Sequence, residues 1–86
     1  MLLKKIMEED EKWMLLAIRE AKLAETEGEV PVGAVLVKKD LLIAEAHNQS
    51  ILKNDATAHA EIQVLQLAGE KLKNYRLNGT TLYVTL

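Results

Sequence analysis

Cysteine is missing altogether from these 86 residues. Disulfides are thereby excluded, as is any thiolate metal ligand contributed by the chain itself. Long apolar runs are missing too, and none approaches the ~20 residues that a membrane span needs. The opening Met1-Leu2-Leu3-Lys4-Lys5-Ile6 lacks the apolar centre and small-residue cleavage site of a signal peptide, so a cytoplasmic location is the expectation. Nor does either sign of charge dominate: a net charge of −2 offers no long-range attraction to nucleic acid. Internal repeats, low-complexity segments and linkers are absent as well.

What is present is the composition of a folded protein, 49% apolar and 28% charged. The length allows one small domain at most, residues 1–86. Such a domain buries a limited share of its surface and ordinarily needs a metal, disulfide or partner as reinforcement. The last seven residues, Thr80-Thr81-Leu82-Tyr83-Val84-Thr85-Leu86, read as a strand that stops without a turn or cap. The expectation is that the chain is the front part of something longer.

Five elements can be read in order. Residues 8–27 form a first helix, with Glu8, Glu9, Asp10 and Glu11 at its negative N-terminal end and Asp10 as N-cap. Met14, Ala17, Ile18 and Ala21 repeat on one buried face, Trp13 adds to it, and Arg19, Glu20 and Lys22 read as a solvated outer face. Gly28 is the stop. Residues 30–37 are a β-branched strand, in which Pro31 marks the start or an irregular edge. Gly33 marks a bulge or a close approach to the backbone. Residues 41–46 return as a hairpin, and the near-continuous apolar runs suggest a sheet covered on both faces.

A polar loop follows to about residue 58. Asn48, just past the strand end, either satisfies a local turn or hydrogen-bonds a ligand. His47 has no evident partner and reads as structural or exposed. A second helix spans 59–73, with Leu65, Ala68 and Leu72 on one face and Ile62 and Val64 widening it. Gly69 weakens that helix for no reason visible in the sequence. Asn78-Gly79 is a turn before the last strand. The fold class is α/β, in the order α-β-β-α-β. The sheet is mixed, with helices on its faces, and β3 lies beside a β1 that is antiparallel to two mutually parallel neighbours.

The chain is organised around the join between loop and second helix, Asn54-Asp55-Ala56-Thr57-Ala58-His59-Ala60-Glu61. Residues two apart on a regular helix face away from each other, about 200° around the axis. His59 and Glu61 can share a site only at a helix N-terminus, where the backbone is still entering the helix. There, free N–H groups and the helix dipole favour negative charge. The same pattern also fits an ordinary polar His beside a Glu that complements the dipole. In the expected fold this helix start sits at the carboxyl end of β2, where open α/β sheets place ligands, so His59, Glu61 and Asn48 would share one rim.

Three separated blocks add to H-x-E. They are Glu29-Val30-Pro31-Val32-Gly33-Ala34-Val35-Leu36-Val37, Asp55-Ala56-Thr57-Ala58-His59-Ala60-Glu61, and Asn74-Tyr75-Arg76-Leu77 with Thr81-Leu82-Tyr83-Val84-Thr85-Leu86. In this order they resemble the N-terminal part of the bacterial tRNA-specific adenosine deaminases, within the zinc-dependent cytidine-deaminase-like superfamily. The resemblance implies that His59 is the His ligand of one Zn²⁺ per subunit, with two Cys of P-C-x-x-C completing the set. It implies Glu61 as general acid/base, Asn48 as a hydrogen-bond partner of the base, Val30 and Pro31 as pocket lining, and the Ala60 backbone beside the metal. The implied reaction is conversion of adenosine to inosine at the anticodon wobble position, with the tRNA anticodon stem-loop as partner and a homodimer as assembly.

The departure is that neither Cys ligand exists here, so the 86-residue chain alone is expected to be inactive. Two alternatives stand beside this reading. One is a relative acting on a free base or nucleotide, and the other is a non-catalytic fragment serving as an interaction module.

Overall fold

In a computed structural model, residues 2–85 are described, with side chains from Glu9 onward. The elements are α1 (Leu2–Thr26), β1 (Gly33–Lys38), β2 (Leu41–His47), α2 (Ala60–Leu72) and β3 (Thr80–Val84), in the expected α-β-β-α-β order. Leu86 lies outside the described residues.

The sheet order is β2-β1-β3. Both pairings of β1 are antiparallel. The parallel relation expected from the strand–helix–strand crossover holds between β2 and β3, which flank β1 instead of pairing. Alternation along β1 explains its uninterrupted burial. Ala34 and Leu36 face a core with Ala46, Ala60, Val64 and Ala68 under α2. Val35 and Val37 face a second core with Trp13 and Ala17 under α1. The central strand is thus covered on both faces, as its apolar run suggested.

The hairpin between β1 and β2 turns on Lys39 and Asp40, both left-handed at φ 51° and 61°. This is the two-residue geometry that matches strand twist. The bulge falls between Leu36 and Val37, so Gly33 is not its site. Gly33 instead answers to close approach: a Cβ there would lie 2.0 Å from the Ala17 carbonyl oxygen. Pro31 precedes the strand inside a tight turn in which the Val32 amide donates to the Val30 carbonyl at 2.8 Å.

Three readings of the helices need correction. α1 begins at Leu2, so Asp10 lies inside it and is no N-cap. Its carboxylate accepts from the Tyr83 hydroxyl at 2.6 Å, a bond that holds the phenol protonated and its pKa pushed up to about 12. Ile18 is exposed, and the buried stripe runs through Trp13, Ala17, Glu20, Ala21 and Ala24. Glu20 is therefore not on the solvated face. On α2 the fully buried positions are Ala60, Val64 and Ala68, spaced by four, with Gln63 beside them; Ile62 is exposed.

Both helices end as their sequences indicate. Past α1, the Gly28 amide bonds to the Glu25 carbonyl and the Glu29 amide to the Ala24 carbonyl, with Gly28 at φ +76°. This pair of bonds is the Schellman motif. α2 closes through a left-handed Lys73. Gly69 meets no crowding, since a Cβ there would have Asn74 O at 3.7 Å as its nearest contact. Gly69→Ala is accordingly expected to stabilise the fold by about 1 kcal/mol. Thermal unfolding should show the midpoint rising by roughly 4–8 °C.

Candidate active site

His59 is the N-cap residue of α2, extended at φ −76° and ψ 152°, and its side chain makes no capping hydrogen bond. Caps are ordinarily Ser, Thr, Asp or Asn, whose oxygens satisfy the first free amides. An imidazole here forgoes that stabilisation and is left to face outward. Glu61 sits in the first turn of α2, where the dipole favours a carboxylate. The extended backbone at His59 lets both side chains turn the same way, and His59 Nδ1 lies 3.5 Å from Glu61 Oε1. That is a loose ion-pair distance. The two side chains are 57% and 37% exposed, respectively, so both are open to solvent and to a ligand.

His59, Ala60, Glu61, Asn48 and Val30 line one open cavity of about 670 Å³, together with Glu29, Ser50, Ile51 and the end of β3 at Val84 and Thr85. The expected sharing of one rim is what the structure has. Pro31 is the exception: it is exposed and does not border the cavity. Asn48 is buried. Its backbone N–H donates to the Val32 carbonyl at 3.0 Å, and its Oδ1 accepts from Ser50 Oγ at 3.3 Å. Both readings of Asn48 are thus compatible: it fixes the local chain and borders the cavity.

Sequence reasoning missed the partners of three acidic groups, Glu20 within α1 and Glu27 and Glu29 just past its end. Glu29 is buried, and its carboxylate accepts from the amides of Ile51 and Leu52 at 3.0 and 2.8 Å. Glu20 and Glu27 flank His47 at 3.1 and 2.8 Å. His47, which showed no partner in the sequence, therefore has two. A signal existed: the last turn of α1 has no basic residue to match its dipole, while Glu25, Glu27 and Glu29 sit at or just past that end. Acids against the dipole call for partners elsewhere in the fold.

The His47 imidazole faces two carboxylates, and only its protonated form offers two donors. Burial opposes that charge, but the bonds to Glu20 and Glu27 outweigh it and raise the pKa above 6.5. The contribution to stability is therefore fully present below about pH 6.5 and is lost as pH climbs through the raised value. The stability difference between the wild type and His47→Gln is expected to shrink as pH rises above about 6.5. Urea unfolding at several pH values checks this, and a constant difference would refute it.

As a metal site, the chain offers one nitrogen, that of His59. His47 has both ring nitrogens engaged. Cysteine is absent, and no group of three His, Cys, Asp or Glu converges among the described residues. Three protein ligands are the usual complement of a catalytic zinc. The donors present supply one corner of such a site and do not form it alone.

The fold is that of the cytidine-deaminase-like proteins. The family described as the cytidine and deoxycytidylate deaminase zinc-binding region matches residues 7–86, and the chain belongs to it. Within that family, the chain is 53% identical over 77 residues to the tRNA-specific adenosine deaminase of Buchnera aphidicola subsp. Schizaphis graminum, covering 90% of this chain and 51% of that protein. It is 51% identical over 80 residues to the tRNA-specific adenosine deaminase of Bacillus subtilis, covering 93% and 50%. A solved structure from work on A-to-I editing by tRNA:A34 deaminases superposes with a TM-score of 0.84 at 49% identity, covering 86% of this chain and 57% of that one. The guanine deaminase of Bacillus subtilis superposes with a TM-score of 0.83 at 36% identity, covering 86% and 48%. The chain thus spans about half the length of the curated relatives it matches.

Proposed function

We propose that this chain supplies the proton-transferring and base-recognising part of a zinc-dependent hydrolase that converts adenosine to inosine at the tRNA anticodon wobble position. The observation that carries the reading is the convergence of His59, Glu61 and Asn48 on one cavity at a helix start. The identity to tRNA-specific adenosine deaminases supports the substrate. Residues 1–86 form the N-terminal part of one deaminase domain. The protein works in the cytoplasm as a homodimer, with the anticodon stem-loop as its partner.

In this scheme His59 is one nitrogen ligand of Zn²⁺, and the two thiolates come from outside the 86 residues. Bound zinc lowers the pKa of its water, so that hydroxide is available near neutral pH. Glu61 would take one proton from the attacking water and deliver it to the ring nitrogen, then carry the second, from the hydroxyl added at the ring carbon, to the amino group, which leaves as ammonia. Asn48 hydrogen-bonds the base, Val30 and Ala60 bound the space it enters, and Pro31 acts only through the turn that sets Val30. An adenosine unstacked from its loop can enter because the cavity is open on one side.

A second reading has one specific support. The guanine deaminase superposes almost as well as the tRNA enzyme, so the scaffold also serves a free base. Zinc content by elemental analysis, followed by deamination assays on an anticodon stem-loop and on free guanine, separates them. For the full-length protein, with the two thiolates that lie outside these 86 residues, about one zinc per chain with inosine formed in the stem-loop is the expected result. Deamination of guanine alone would favour the second reading. Zinc-loaded protein inert on both would overturn the first.

A further inference from the structure

Glu29 is the least expected member of the cavity wall. It follows the Schellman turn of α1 directly and is only 6% exposed, yet among the described residues no cation is paired with it. Each oxygen of its carboxylate takes a separate backbone amide, Ile51 by Oε1 at 3.0 Å and Leu52 by Oε2 at 2.8 Å. Those amides open the helical turn at 50–54, in which the Lys53 amide bonds back to the Gln49 carbonyl and the Asp55 amide to the Ser50 carbonyl. As in a longer helix, the first amides of such a turn have no partner within it. Glu29 provides one from another part of the chain.

The consequence is geometric. Asn48 reaches the cavity from the strand-side foot of this loop and is tied to Ser50, which starts the clasped turn. Ile51 forms the wall on the far side of Ser50. Val30, next to Glu29 in sequence, forms the facing wall. One carboxylate therefore joins the two sides of the cavity mouth. Charge-assisted bonds to backbone amides are short and directional, so they fix position as well as add stability.

We propose that Glu29 is a positioning residue for the bound base. By clasping Ile51 and Leu52 it sets the width of the mouth and holds the Asn48 amide where a purine edge can meet it. This role rests on the base-binding reading above. Glu29→Gln keeps the size of the side chain but replaces one acceptor by an NH₂ group. One of the two amides then faces a donor and loses its partner, and the rim is free to shift.

The test uses the isotope-labelled protein, with purine riboside as probe, followed by NMR well below the unfolding midpoint of either variant. Glu29→Gln is expected to speed amide exchange at Ile51 or Leu52 by about tenfold or more and to weaken probe binding about tenfold, as for one lost charge-assisted bond. The Asn48 side-chain amide signals should move on probe addition in the wild type and move less in the variant. Faster exchange with unchanged binding would reduce Glu29 to a structural clasp and overturn the positioning role alone. Unchanged exchange would show that the clasp does not hold the loop and would overturn it too. A wild type that fails to bind the probe would overturn the base-binding reading itself, and that is read without reference to the variant.

Discussion

Replacing Gly33 by alanine is expected to cost about 3 kcal/mol or more, the upper end of what overpacking a core does. The added methyl would stand 2.0 Å from the Ala17 carbonyl oxygen, 2.5 Å from the Ala21 amide nitrogen and 2.8 Å from Glu20 Cβ. Two of these three are backbone atoms of α1, so no rotamer change relieves the clash. The helix itself must lift from the sheet. Lifting it opens the layer where Trp13 and Ala17 pack on Val35 and Val37, and it draws Glu20 away from His47. A domain of this size has only ~5–10 kcal/mol in hand, so the variant would be poorly folded at physiological temperature.

Trp13 is the single tryptophan, buried against that layer, so its emission reports the motion directly. Thermal unfolding followed by tryptophan fluorescence should show a midpoint lower by roughly 15 °C and a red-shifted folded baseline. A loss under about 1 kcal/mol with unchanged emission would mean that α1 does not rest on Gly33. Gly28→Ala is the matched control. That site has φ +76° and open space around it, so alanine meets backbone strain alone and should cost about 1 kcal/mol.

The contrast between these glycines bears on what a sequence discloses. Gly28 was legible as a helix stop because stopping is a local event, written in the residues around it. Gly33 was legible as a place of close approach, but not as the seat of α1, since nothing nearby names the partner. The same division runs through the rest of the chain. Strand order followed from short connections, and helix geometry allowed a joint placement of His59 and Glu61 at a helix start without requiring it. The phase of the helices did not: Ile18 and Ile62 fit the apolar period yet face out, because alanines at 17, 21, 24, 60 and 68 let the helices approach closely on the neighbouring stripe. The polar ties were the least legible. Glu20 to His47 spans 27 residues and Glu29 to Leu52 spans 23, and no local pattern encodes either. Pro31 shows the limit of a carried-over role, since its block is matched but its ring lies off the cavity.

Glu61→Gln is expected to lower deamination by about a thousandfold while leaving the fold and the metal content unchanged. The amide has the size and hydrogen-bonding reach of the carboxylate but cannot accept a proton from water and return it to the base. Structural damage should be slight. Glu61 is partly exposed, and the ion pair found for its side chain is the loose 3.5 Å approach to His59. Loss of its charge removes a helix-dipole interaction worth about 0.5 kcal/mol, a few degrees in midpoint at most. The experiment is single-turnover deamination of an anticodon stem-loop by the zinc-loaded full-length protein and its variant, with zinc content and unfolding midpoint measured on the same samples. Equal zinc, a near-equal midpoint and a collapsed rate would place Glu61 in the proton transfer. A variant within about tenfold of wild type would remove it from that role, because positioned proton transfer contributes at least a hundredfold. A variant that lost both zinc and rate would instead make Glu61 a partner of the metal site, consistent with its carboxylate already leaning on the His59 ring.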